Sequence, residues 1–468
     1  MPSDVMKKLF YFLCLVAGVA ACLTSAAGHC TFALVFLKLM MFVLMATSLY
    51  FGLQVEPRLF SPFTLFSTYP CAILFYSDYI SEKYLPLPSW EGALVLILAG
   101  YSVFFGMLTM SGIGASRIRK LQKMQDLHGI SEMPETDYST WTMFLLFLIP
   151  IVMVLINVDI DSLDFSSKED IQTIRSQSGI AIFGSLSMFY VVVILNAVRK
   201  RQKLTLIAVF VLIFFVSLLQ MSKGALLNAM LAFFFGLELY RRDILKNTHF
   251  GKTLLGITGA LIVMSALFSF YGALRSGSLG EEEYMAGYDY ARRYHDIAEL
   301  PKPLQSLYNP YMYFTTPTSN VLFLVENQLN HGDGTIILWP IITTFQLKRL
   351  FDIGMSAMPI RIEPYNTFSL GGAFYYEGGW PMVILGCFIL GFLTYWFYYR
   401  ACCSRDIIIY VEYFFWGLAL FYGFFSNHFL TQAYPLRALI IFEVYRLLCR
   451  TPKHLISSPS VEENSTLR

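Results

Sequence analysis

The stretch Gly92–Met110, GALVLILAGYSVFFGMLTM, holds no charged side chain, and within a few residues it is followed by Arg117, Arg119, Lys120 and Lys123. Both halves of that pattern matter. An apolar helix near 20 residues crosses a hydrocarbon core of about 30 Å, and a basic cluster just beyond it marks the end kept on the cytoplasmic side. The same pairing recurs in both directions along the chain. About twelve apolar runs qualify as spans: Leu9–Ala27, Thr31–Leu53, Leu59–Ser77, Gly92–Met110, Trp141–Asn157, Gly179–Val198, Leu204–Met221, Ala225–Tyr240, Leu254–Tyr271, Met382–Tyr399, Ile407–Phe425 and Phe429–Leu448. Pro62 and Pro70 interrupt the third, the weakest of them. The first, although preceded by Lys7 and Lys8 and followed by Ser25, Ala26 and Ala27, is read as an uncleaved span and not a signal peptide.

Basic residues occupy every second connection: the 117–123 cluster, then Arg199, Lys200, Arg201 and Lys203, then Arg241, Arg242, Lys246 and Lys252, then Arg400 and Arg405. With Lys7 and Lys8 at one end and Arg446, Arg450 and Lys453 at the other, the alternation predicts that both termini are cytoplasmic. The intervening connections are acidic or neutral, as at Asp78, Glu82, Asp159, Asp161, Asp164, Glu169 and Asp170. Composition agrees. Of 468 residues 56% are hydrophobic and only 14% charged, with a mean hydropathy of +0.56, whereas soluble domains carry about 25% charge. A net charge of +2 offers no bulk attraction for nucleic acid. The eight cysteines show no CxxC or Cys/His metal spacing and are read as small apolar filler.

The predicted fold class is therefore an all-α polytopic membrane protein. Residues 1–273 supply nine spans with short loops, 274–380 a large periplasmic loop with short helices, 381–449 three further spans, and 450–468 a cytoplasmic tail. A loop that long is more often ordered and functional than structureless. Thr315–Ser319 is predicted to cap a helix through Val321–Asn330, and Thr335–Leu350 to form an interfacial or re-entrant helix.

Chemistry-bearing residues gather on the non-cytoplasmic side. Arg275 stands at the mouth of the large loop, and Arg292, Arg293 and His295 lie among Tyr288, Tyr290 and Tyr294, with Arg361 further on. Aromatic faces pack on sugar rings and the guanidinium fork matches phosphate oxygens. The bland alternative is acid–base pairing on a solvated face. Arg437 is placed about eight residues inside the last span, a depth at which a charge needs a cavity or a partner. Lys38 is expected to snorkel. Lys223 occupies a tight outer turn, and Asn427 and His428 another. The densest pattern runs from Glu363 to Trp380. There Glu377, partly desolvated, would remove a proton from a sugar hydroxyl, or else lies solvated in a Gly-rich loop.

The segment Asn366-Thr367 through Tyr375-Tyr376-Glu377-Gly378-Gly379 resembles the Asn-x-(Phe/Tyr)-Thr … Tyr-x-(Asp/Glu)-Phe-Gly region of bacterial oligosaccharide repeat unit polymerases, the Wzy-type O-antigen polymerases. Ser222-Lys223-Gly224 is similar to their Ser-(Arg/Lys)-Gly turn. The order at Asn366-Thr367-Phe368 differs slightly from that pattern, and Gly378 stands where the family often has an aromatic residue. The resemblance implies a GT-C-like scaffold in the bacterial inner membrane that joins undecaprenyl-pyrophosphate-linked repeat units on the periplasmic face. It implies the lipid bilayer and a chain-length regulator as partners, and neither nucleic acid nor a cofactor. On that reading Arg275, Arg361 and Arg437 are expected to stabilise the leaving pyrophosphate, Arg292 and Arg293 to guide phosphate, Glu377 or His295 to act as the base, and Lys223, Asn366 and Tyr376 to bind substrate. No P-loop pattern occurs, and the one Asp-x-Asp spelling, Asp159 and Asp161, falls in a small separate loop, so a metal-independent reaction is expected. An O-antigen ligase and a polyprenyl-linked glycan flippase are the alternatives; transporters tend to show internal repeats and broken helices near the bilayer midplane.

Overall fold

The computed structural model describes residues 32–55, 58–76, 87–128, 138–157, 186–219, 223–241, 308–329, 332–345, 347, 358–359, 367–404, 406–431 and 433–449. Among these the chain is all-α, with no strand. In order come α1 (Phe32–Tyr50), α2 (Pro62–Phe66), α3 (Thr68–Leu74), α4 (Trp90–His128), α5 (Thr140–Asn157), α6 (Phe189–Arg199), α7 (Lys203–Leu219) and α8 (Lys223–Tyr240). Beyond the 242–307 interval follow α9 (Tyr308–Glu326), α10 (Thr335–Thr344), α11 (Leu370–Cys402), α12 (Ile407–Phe421) and α13 (Tyr434–Cys449). Four stretches, Phe32–Leu53, Trp90–Gly114, Leu370–Cys402 and Ile407–Phe424, are long and apolar enough to cross a membrane. Runs Leu9–Ala27 and Leu254–Tyr271 lie outside the described residues.

The membrane reading is reinforced by what the helices leave uncovered. Trp141, Leu145, Ile149 and Val152 on α5, and Leu204, Ile207, Val211 and Phe215 on α7, are exposed. Their spacing of three and four residues places each set on one helical face. Apolar stripes of this kind on several helices suit contact with lipid, since water would disfavour them.

The run Leu59–Ser77 is broken where its prolines predict. Pro62 starts α2, where its missing N–H costs nothing, and the Ser61 hydroxyl accepts from Thr64 N at 3.3 Å. Ser67 then separates α2 from α3.

At the centre, α4 and α11 run side by side in the same direction. A Cβ on Gly106 would fall 2.1 Å from the Phe388 carbonyl oxygen, and one on Gly391 2.1 Å from that of Val103. Only glycine lets the two backbones touch like this, the small-residue packing that joins helices where lipid supplies no hydrophobic drive.

The feature that positions the candidate site is a reversal inside α11. Gly378 (φ −160°, ψ 19°) and Gly379 (φ 63°, ψ −152°) leave helical geometry. The Phe374 ring lies 2.5 Å from where a Gly386 Cβ would be, and a Gly371 Cβ would lie 3.9 Å from Val383 Cγ1. In a straight helix residues that far apart in sequence are separated by roughly 18 Å. The chain therefore doubles back: a short limb, 370–377, packs beside the long limb, 380–402. Its first six residues are buried. The large loop was expected to run to residue 380, yet helix begins at Leu370.

A second departure concerns α9. Thr315–Ser319 does not cap a helix but lies within one, and Thr315, Thr316, Thr318, Ser319 and Asn320 are buried against the bundle. Thr315 and Thr316 turn their hydroxyls onto the Tyr311 and Met312 carbonyls, which removes the need for outside partners.

Candidate functional site

The described polar and charged residues divide between two ends of the bundle. At one end Asn196 Nδ2 donates to Thr140 Oγ1 at 2.8 Å, Tyr138 OH to Asp406 Oδ2 at 3.2 Å, and Phe60 N to Glu238 Oε2 at 3.0 Å. Arg400 bridges Glu412 at 3.1 Å and Glu443 there, and Arg446 reaches Glu443 at 2.5 Å. Trp90, the Glu377 carboxylate, α10 and the first turn of α13 occupy the other end, where the candidate site lies.

Glu377 closes the short limb and holds α10. Gly334 N donates to Glu377 Oε2 at 2.6 Å and Ile336 N to Oε1 at 2.8 Å, while Gly332 N donates to the Tyr376 carbonyl at 2.9 Å. These are first-turn N–H groups that α10 cannot satisfy internally, and a carboxylate complements the positive helix end. Asp333 adds a second acceptor, taking Thr335 N at 3.0 Å. Residue 332 must be small, since a Cβ there would sit 2.5 Å from Glu377 Cα. Glu377 is therefore neither in a loop nor simply solvated; both of its oxygens are engaged at the start of α10.

Arg437 sits elsewhere than the hydropathy run suggests. Residues 425–431 and 433 are irregular and α13 starts at Tyr434, so Arg437 lies in the first turn of the helix and not eight residues within it. Ala433, buried at φ 55°, turns the chain, and its carbonyl accepts Arg437 N at 3.0 Å. A cation at this end opposes the helix dipole, and the buried Arg437 Nε has no hydrogen-bond partner among the described residues. Such a positive end, with α13 packed on α10, suits an anion.

Beside it, His428 stacks on Tyr422 with ring centroids 4.8 Å apart and lies 5.9 Å from Tyr434. Tyr422 OH donates to Asn228 Oδ1 at 2.8 Å. Burial pushes the His428 imidazole down to about 4, and its buried Nδ1 has no partner among the described residues. The burial that keeps the imidazole neutral also makes it a weaker base than a free histidine. Asn427 instead serves structure, donating from Nδ2 to the Leu370 carbonyl at 3.1 Å and accepting Leu430 N at 3.3 Å.

Of the sequence-predicted site residues, Glu377, Tyr376 and Arg437 are thus brought to one end, around α10. Lys223 begins α8, with its side chain outside the description. Arg275, Arg292, Arg293, His295, Arg361 and Asn366 lie outside the described residues. Lys38 does not snorkel to an exposed position: it is buried within α1. Among the described residues no cluster of His, Cys, Asp and Glu suited to a metal occurs. The buried hydroxyls of Thr318 and Ser369 were missed; Ser and Thr in a loop-like text carry no signal of burial. No protein-family model, no curated protein and no solved structure matches the chain.

Proposed function

We propose that this protein is a membrane glycosyltransferase that joins undecaprenyl-pyrophosphate-linked oligosaccharide repeat units on the periplasmic face of the bacterial inner membrane. The resemblance at residues 366–379 motivates the reading. The observation that carries it is that the limb ending at Tyr376-Glu377 and the Arg437-bearing first turn of α13 both meet α10, at the bundle end opposite the Arg400 network. Arg437, with Arg275 and Arg361, would neutralise charge developing on the departing pyrophosphate. Arg292 and Arg293 would guide phosphate, and Lys223, Asn366 and Tyr376 would bind substrate. Glu377 or His295 would take the acceptor hydroxyl's proton, Glu377 in addition to its hold on α10. The undecaprenyl-linked glycan and the lipid bilayer are the partners, with a chain-length regulator beside them.

A glycan transporter is the second reading, and one observation favours it: α11 is a discontinuous helix with buried polar residues of α9 beside it, an arrangement recurrent in transporters. Gene deletion in a host making a surface polysaccharide separates the two. Loss of long chains with single capped repeat units retained supports the polymerase. Capped units absent and material trapped inside support the transporter, and lipid-linked polymer awaiting transfer supports a ligase. Purified Arg437→Ala, Arg275→Ala and Glu377→Gln are each expected to fail to extend a lipid-linked repeat unit; wild-type rates in all three would overturn the assignment.

A further inference from the structure

From the start of the short limb of α11 we infer that this chain has an oxyanion-binding site inside the bundle, built from the Ser369 and Thr318 hydroxyls and the first backbone N–H groups of the limb, and that it takes a phosphate group of a polyprenyl diphosphate or of free diphosphate. The inference rests on the proposed function for its choice of the lipid diphosphate as natural ligand; its geometry stands apart from that reading.

Ser369 is the residue before the first helical position of α11 and has the extended backbone of an N-cap (φ −61°, ψ 168°). A serine there ordinarily turns its hydroxyl onto the N–H two or three residues on. Here it makes no such bond. The Ser369 hydroxyl, on a fully buried residue, has no hydrogen-bond partner among the described residues. Among the described residues the same holds for the Thr318 hydroxyl, on a residue 1% exposed. The two are neighbours, because Ser369 N donates to the Pro317 carbonyl at 3.3 Å. Thr315 and Thr316 bond back to α9 carbonyls, and no such bond is formed by Thr318. An idle buried hydroxyl is costly, and two beside one helix start call for a common partner.

The start of the limb supplies the rest. Gly372 N is taken by the Ser369 carbonyl at 2.9 Å, whereas the N–H groups of Leu370 and Gly371 precede any intrahelical acceptor and point toward the positive helix end. The site is braced on both sides: Asn320 Nδ2 donates to the Thr367 carbonyl at 2.9 Å, and Asn427 Nδ2 to that of Leu370 at 3.1 Å. Glycine at 371 and 372 lets the limb press against Ala99 and Val321, where a Cβ would approach to 2.9 Å in each case. Helix starts lodged within a bundle are the membrane form of the helix-terminus anion site. The non-helical pair Gly378-Gly379 ends the limb on its far side.

Full-length protein in nanodiscs of an uncharged lipid is titrated calorimetrically with farnesyl diphosphate, inorganic diphosphate and farnesol, and each mixture is melted. The expected result is binding of farnesyl diphosphate but not farnesol, weakened about tenfold by Ser369→Ala and by Thr318→Val, each of which removes a hydrogen bond to a charged oxygen. Thr315→Val, whose hydroxyl is already engaged, leaves affinity unchanged. The unliganded melting temperature of Ser369→Ala is expected to equal or exceed that of wild type, since an unsatisfied group is lost; if Thr318→Val folds poorly, Ser369→Ala alone carries the test. Equal binding of inorganic diphosphate identifies the free oxyanion as sufficient, and binding of the farnesyl form alone identifies the lipid headgroup; both support the site. Absence of binding by either diphosphate overturns it, as does binding untouched by Ser369→Ala and Thr318→Val. Normal glycan chains after gene deletion, with diphosphate binding intact, would instead remove the polymerase reading and leave this site standing.

Discussion

Arg400 shows how one side chain can hold three helices. Sitting on α11, it reaches Glu412 of α12 at 3.1 Å and Glu443 of α13, which Arg446 also reaches at 2.5 Å. Glu412 is fully buried. Removing the guanidinium would leave that carboxylate without its counter-charge, which typically costs about 3–5 kcal/mol. Arg400→Ala is therefore expected to lower the melting temperature in detergent markedly, and Arg400→Ala with Glu412→Gln to recover most of the loss; a single variant as stable as wild type would remove the network from any stabilising role. His428 makes a pH prediction at the same scale. Its folded value lies near 4, below its ordinary 6.5, because burial disfavours the charged ring. Between those values the unfolded chain binds the proton and the folded chain does not, so the contribution of His428 to stability falls as pH drops from 6.5 toward 4 and is constant outside that window. In His428→Phe, compared with wild type by denaturation across that range, this part of the acid sensitivity should vanish. Sequence placed Arg400 as a marker of topology and His428 as a turn residue. Neither text reveals its partners, since these belong to other helices brought near only by folding.

Among elements, α4 and α11 define the centre and α11 its exception. Gly391→Leu would drive a side chain into the Val103 carbonyl, and Gly106→Val into that of Phe388. A backbone neighbour cannot rotate away, so each should cost about 3 kcal/mol or more. Gly112→Ala, with nothing within 4 Å of its added Cβ, should be neutral or slightly stabilising. Folded yield from membranes and thermal melts would check the contrast, and equal behaviour of the three would contradict the close crossing. The existence of long helices was legible, because runs such as Gly92–Met110 admit little else. The ends and interruptions were less so. The text 370–377 reads as a Gly-rich loop and Thr315–Ser319 as a cap, yet both are helical. In the first, small residues let the limb press against α4 and α9; in the second, the hydroxyls bond back to their own helix.

For the whole molecule, the testable statement is which surfaces share a side. Lys200 and Asp333, both exposed, belong to opposite ends. With Cys403 and Cys449, the exposed native cysteines among the described residues, changed to serine, Lys200→Cys and Asp333→Cys are expected to react with a membrane-impermeant maleimide from opposite sides of sealed vesicles. Labelling of both from one side would overturn the arrangement.

By itself the sequence determined the class, an all-α chain with several helices long and apolar enough to cross a membrane. Low charge and long apolar runs leave the backbone no other way to satisfy itself in lipid. Only the tertiary structure decided that α11 doubles back, that Glu377 caps α10, that Arg437 stands at a helix start and that two buried hydroxyls flank another. Those facts depend on which backbone groups lack an internal partner and which distant side chains arrive to meet them. A linear text carries neither.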